Sequence, residues 1–177
     1  MLRDATIHEA AAMLEIYRPY ILHTAITFEY TVPTLQEFEA RFLSITAEFP
    51  WLVWEEDGQI LGYAYGSKAF PRAAYQWDAD LSIYLRQDCR ARGIGRRLYT
   101  ALEDRLRELG YFVLYGLVTS ANDASCRFHR AMGYREVARL KKTGFKFGQW
   151  YDIIWYEKRL RDGDPAHPPV IPERSGA

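Results

Sequence analysis

Residues 90–95 read Arg-Ala-Arg-Gly-Ile-Gly (RARGIG). They lie between a strand-like run, Trp77 to Leu85 (WDADLSIYL), and a run in which Leu98, Leu102, Leu106 and Leu109 recur at helical spacing until Gly110. Gly93 and Gly95 carry no Cβ, so a ligand can approach the main chain, and the amides ahead of Leu98 are the unpaired donors of a helix N-terminus. Arg90, Arg92, Arg96 and Arg97 add four positive charges within eight residues. The loop therefore reads as a cradle for an anion with several negative charges, such as a pyrophosphate. The same residues would also serve as a plain strand-to-helix turn with a solvated basic face. A P-loop would need Gly-Lys-Ser/Thr after the glycines. A dinucleotide fingerprint would need a third glycine and an acidic residue where Val118-Thr119 stand, so neither motif is present.

Upstream, Leu2 to Ala5 predicts a short strand. Thr6/Glu9 and Thr34/Glu37 have capping-box spacing, each ahead of an apolar stripe of helical period, so two helices follow. Between them the polar and aromatic connection His23 to Val32 is longer than packing requires. Trp51 to Trp54 and Ile60 to Gly66 flank Asp57-Gly58, the signature of a tight hairpin. In WDADLSIYL, Leu81, Ile83 and Leu85 alternate with Asp80, Ser82 and Tyr84. Downstream, Phe112 to Val118 predicts a strand, Asn122 or Asp123 starts a helix ending at Gly133 with Cys126 and Phe128 inward, and Arg135 to Phe145 and Trp150 to Lys158 predict a closing pair of strands. Residues 1–160 read as one domain. Residues 161–177, with four prolines after Arg161, read as a mobile tail.

The balance of 23 Lys+Arg against 23 Asp+Glu gives no overall attraction for nucleic acid or anionic lipid. Two cysteines and four scattered histidines offer neither a disulfide framework nor a metal site. With no long apolar run and a charged N-terminus, the chain reads as cytoplasmic, with no membrane partner.

RARGIG matches the Gln/Arg-x-x-Gly-x-Gly/Ala signature of the GCN5-related N-acetyltransferase (GNAT) superfamily. NDASCRFHRAMGY, residues 122–134, resembles the second half of that family's cofactor site. Within the superfamily the chain resembles the phosphinothricin acetyltransferase branch and its methionine sulfone and sulfoximine acetylating relatives, through the Tyr84 strand, His129 and the late GFKFGQWYD segment, residues 144–152. The resemblance implies an α/β (α+β) GNAT fold, a mixed sheet of about seven strands with four helices in the order β-α-α-β-β-β-α-β-α-β-β. It also implies acetyl coenzyme A as co-substrate, a small-molecule primary amine as acceptor, and a homodimer. A peptide or protein N-terminal acetyltransferase, and a coenzyme A-binding regulatory module without turnover, are the competing readings.

By the same resemblance, the backbone of Ile83, Tyr84 and Leu85 pairs with the pantetheine arm, and Arg90, Ala91, Arg92, Gly93, Ile94, Gly95 and Arg96 hold the pyrophosphate. Asn122, with Ser125 beside it, binds pantetheine; a plain helix N-cap is the alternative for Asn122. Asp80 stands where the branch carries a glutamate proposed as general base, and serves that role only if burial raises its pKa. Asp78 shares its face. His129 stands where many members place a tyrosine that protonates the departing thiolate, and is expected as general acid; packing inside the helix is the alternative. Phe28, Glu29, Arg72, Tyr75, Lys146 and Trp150 are the acceptor-pocket candidates, with Arg72 preferred as carboxylate clamp. Phe28-Glu29 replaces the Phe-Arg of herbicide-detoxifying relatives, which argues against a doubly anionic acceptor.

Overall fold

The computed structural model describes residues 1–89 and 92–161. A seven-stranded mixed sheet runs in the order β1-β2-β3-β4-β5-β7-β6. Its strands are β1 (Leu2–Asp4), β2 (Trp51–Glu56), β3 (Gln59–Lys68), β4 (Asp78–Leu85), β5 (Val113–Thr119), β6 (Arg135–Lys146) and β7 (Gln149–Arg159). Four helices complete it: α1 (Ala10–His23), α2 (Leu35–Thr46), α3 (Ile94–Glu108) and α4 (Asp123–Ala131). The chain order is the one expected for the α/β (α+β) GNAT layout.

Local signals explain most boundaries. Thr34 caps α2, its hydroxyl accepting from Glu37 N–H while the Glu37 carboxylate accepts from Thr34 N–H. The Thr6/Glu9 box opens a 3-10 turn, Ile7–Glu9, which leads into α1 instead of starting it. Asp57 (φ 49°) and Gly58 (φ 73°) make the β2–β3 turn, and Phe147 and Gly148 make the β6–β7 turn in the same left-handed region. Residues 162–177, the expected tail, lie outside the described residues apart from Arg161 at its start. No described helix is long and apolar enough to cross a membrane.

The sheet separates two cores. On one face α1 and α2 bury Met13, Tyr17, Phe38 and Phe42 against Trp51, Val53 and Tyr63. On the other, Leu98, Leu102 and Leu106 of α3 pack with Ala79, Leu81, Leu114, Cys126 and Tyr156. The alternation read in β4 holds: Leu81 joins the α3 side, and Tyr84 packs on Tyr17 across the sheet. Among the described strands only β4 and β5 are parallel neighbours, and their pairing stops at Asp80↔Tyr115. Beyond that pair the strands part, and the sheet opens.

Candidate active site

Where β4 and β5 diverge, a cavity of about 300 Å³ is lined by Tyr20, Ile26, Ile83, Leu85, Gly95, Asn122, Ser125 and Phe128, among others. Arg86 N–H bonds Leu61 C=O, which fixes the alternation along the β3–β4 ladder. Tyr84 and Ser82 therefore turn their backbone groups to β3, whereas Ile83 and Leu85 turn theirs into the opening. Tyr84 does not line the cavity as expected: its backbone serves β3, and its ring packs on Tyr17, Tyr20 and Tyr63. Leu85 is also not a bare strand edge. Tyr20 Oη donates to its carbonyl at 2.6 Å and accepts from its N–H at 3.4 Å. Ile83 presents the open edge.

The N-terminus of α3 meets this cavity at Gly95. Gly93 caps the helix at φ +76°, a conformation that L side chains rarely adopt, and its missing Cβ would meet nothing within 4 Å. No acidic residue occupies the first turn of α3. The arginines are less free than their spacing implies. Arg92 is paired to Glu56 at 2.6 Å, and the Arg97 guanidinium lies 5.4 Å from the Trp54 ring centroid. Arg96 is exposed at the helix start. Arg90 and Ala91 lie outside the described residues. Asn122 is the N-cap of α4, with Oδ1 accepting from Ser125 N–H at 3.1 Å, and it lines the cavity as well. Its capping and binding readings are thus compatible.

Asp80 and His129 occupy opposite faces of the opening. Asp80 pairs in register with Tyr115, and its Oδ1 is buried without a hydrogen-bond partner. Burial pushes its pKa up to about 7, against a smaller opposing effect of the Leu81 N–H. Burial also raises the carboxyl of Asp78, reinforced by the negative charge of Glu157. His129 is 3% exposed and fully partnered. Its Nδ1 lies 2.9 Å from the Ser125 carbonyl and its Nε2 2.9 Å from Tyr99 Oη. A carbonyl only accepts, so Nδ1 carries the proton and Nε2 accepts from Tyr99. Burial lowers the His129 pKa, which keeps the ring neutral at pH 7. In this state the imidazole has no hydrogen directed at a thiolate.

The acceptor candidates separate into four groups. Phe28 lies flat on Gly144, where an added Cβ would meet its ring at 2.1 Å. Lys146 is buried, donating from Nζ to the carbonyls of Ile21 (2.7 Å) and Thr27 (2.8 Å), and burial lowers its pKa. These two tie the first loop to the last hairpin; Lys146 is turned away from any ligand, contrary to its expected role. Trp150 is 58% exposed and packs only against Phe145 among the described rings, so it does not wall the pocket either. Arg72 is the N-cap of the 3-10 turn Ala73–Tyr75, and Tyr75 packs against Phe70; both are exposed. Glu29 points inward: its Oε1 accepts from Arg41 Nη1 at 2.7 Å and from Tyr17 Oη at 3.2 Å. Its charge is locally compensated.

A strand pair that splits over a helix N-terminus is a fold-level signature, and comparison with known proteins agrees. The family profile described as "Acetyltransferase (GNAT) domain" matches residues 2–155. The chain belongs to the GNAT acetyltransferase family. Among curated GNAT relatives, it is 37% identical over 169 residues to an N-acetyltransferase of Streptomyces griseus, covering 91% of this chain and 87% of that one. It is 33% identical to the L-methionine sulfoximine/L-methionine sulfone acetyltransferase of Salmonella typhimurium, covering 90% and 94%. A crystal structure of a GNAT phosphinothricin acetyltransferase from Sinorhizobium meliloti in complex with acetyl-CoA superposes with a TM-score of 0.91 at 35% identity, covering 96% and 93%. The enzyme is thus a GNAT acetyltransferase of the phosphinothricin and methionine sulfoximine kind.

Two residues of this GNAT site escaped the sequence reading: Tyr20, which lines the cavity, and Tyr99, which bonds His129. Nothing in the helical spacing separates either from a core tyrosine.

Proposed function

We propose that the enzyme transfers the acetyl group of acetyl-CoA to the primary amine of a small amino-acid-like acceptor of the methionine sulfone, sulfoximine or phosphinothricin type. The reading rests chiefly on one observation: a buried, unpartnered carboxylate oxygen of Asp80 stands where β4 and β5 begin to part. Bound acetyl-CoA supplies an activated thioester. The Ile83 N–H and C=O, open to the cleft, pair with the extended amide arm. The first-turn amides of α3, with Arg96, hold the pyrophosphate. Asp80 accepts a proton from the acceptor ammonium, freeing the lone pair for attack on the carbonyl carbon. With the Ile83 N–H paired to the amide arm, the Tyr84 N–H serving β3 and that of Leu85 held by Tyr20, the oxygen gains its charge beside the α4 N-terminus at Asn122 and Ser125, which lines the same cavity. Asp80 later releases its proton to solvent, and the second amine proton passes to the departing sulfur. His129 acts as a positioning residue that fixes Tyr99 and the first turn of α4.

The acceptor lies on the Asp80 face, with Arg72 and Tyr75 at the rim and Phe28 and Glu29 behind it. The protein works as a homodimer through the exposed aromatic hairpin that carries Phe145, Phe147 and Trp150. Release of free coenzyme A thiol, measured against methionine sulfone, methionine sulfoximine, phosphinothricin and N-terminal peptides, tests the acceptor. Turnover is expected with the first two and weaker with phosphinothricin. Turnover with peptides alone would favour the N-terminal acetyltransferase reading, and acetyl-CoA binding with no turnover the regulatory one.

A further inference from the structure

Beyond Asp80, the acceptor face carries a second preorganised charge. Arg41, on α2, donates from Nη1 to Glu29 Oε1, and the same Glu29 oxygen accepts from Tyr17 Oη, which lies 2.7 Å from Thr27 Oγ1. This network fixes the guanidinium in one orientation. Among the described residues, the Nε–H and Nη2–H groups of Arg41 have no acceptor, and 34% of its side chain is exposed. It is a held cation with donors to spare.

Its location is the second observation. Tyr17 packs 4.6 Å from Tyr84, which shares a face of β4 with Asp80 and Ser82. Glu29, which holds Arg41, also bonds that same Tyr17, so the guanidinium is tied through two side chains to the face of β4 that carries Asp80. An α-amino acid needs this arrangement: a proton acceptor for its ammonium and a forked donor for its carboxylate. Arg72, by contrast, is exposed and has no hydrogen bond or ion pair among the described residues. Ordering it around a ligand would cost side-chain entropy that the Glu29 contact has already removed from Arg41.

We propose that Arg41 binds the carboxylate of the acceptor, that Glu29 is its positioning residue, and that the pair sets specificity for amino acids over simple amines. The proposal rests on the reading of the acceptor as a small amino acid. Arg72 then contributes only to the rim.

The test compares two acceptors at saturating acetyl-CoA: L-methionine sulfone, and 3-(methylsulfonyl)propylamine, which lacks the carboxylate. The wild type is expected to favour the acid by about 100-fold or more in kcat/KM. Arg41→Gln should raise KM for the acid about 30-fold, with kcat within about threefold, and leave the amine unchanged. Arg41→Lys, which keeps the charge and loses the fork, should recover part of the loss. It also serves as the test, with a KM rise confined to the acid, should Arg41→Gln fail to fold. Arg72→Gln should leave the preference intact. If Arg41→Gln weakens both acceptors alike, or keeps the wild-type preference, the Arg41 assignment falls while the acceptor class stands. If the wild type does not distinguish the acid from the amine, both fall.

Discussion

The two faces of the β4–β5 opening treat a buried ionisable group in opposite ways. On the α4 face, His129 is enclosed by the rings of Tyr99, Tyr134 and Tyr156, and both of its nitrogens are engaged. On the α1 face, Asp80 is half-buried, and its Oδ1, removed from water, has no partner. Burying a polar group without a hydrogen bond costs stability. A satisfied group is an anchor, whereas an unsatisfied carboxylate beside a cleft is ready to receive an ammonium. The contrast supports the proposed division, with chemistry at Asp80 and architecture at His129, between two residues that the sequence offers together.

The hardest test of that contrast is Asp80→Asn. The amide keeps the shape and loses the base, so kcat should fall about 10²–10⁴-fold with acetyl-CoA affinity retained. In the wild type, kcat/KM should rise through about pH 7 as Asp80 ionises. Stability has the opposite sign. The folded state retains a proton that the unfolded chain has lost between about pH 4 and pH 7, so folding free energy should weaken as pH rises across that window. Asp80→Asn should remove that decline in pH-resolved urea titrations. An Asn variant of wild-type activity would end the assignment.

A smaller effect, on stability, is expected at Gly116. A Cβ there would lie 2.3 Å from His129 Nε2 in a ring cluster with no room to yield. Gly116→Ala should cost about 3 kcal/mol in chemical denaturation. Smallest is His129→Gln, which should cost about 1–2 kcal/mol through the loss of Tyr99's acceptor and lower kcat by less than about tenfold. A loss in kcat as large as that of Asp80→Asn, with stability unchanged, would instead make His129 the proton donor.

The order of elements was legible because capping boxes, a hairpin turn and period-two alternation are local signals, and residues 6–9, 34–37, 57–58 and 81–85 each carry one. The starts of α3 and α4 were legible for the same reason: Gly93 takes a left-handed cap and Asn122 caps with its side chain, each inside a short motif. The acceptor end was not. Lys146, expected at a ligand, instead satisfies carbonyls of α1 and the first loop, and Arg41 is oriented by a glutamate 12 residues away in sequence. Such partnerships depend on the approach of segments distant along the chain, and no window of sequence displays them. Tyr84 was misread because strand alternation tells which face a side chain takes, but not which neighbour receives the backbone groups.

Lys146 reaches back 125 residues to the carbonyl of Ile21. The first loop is synthesised early, but its anchor emerges near the end of translation. Ordering of the first loop therefore waits on a contact of high sequence separation, the kind a growing chain completes last.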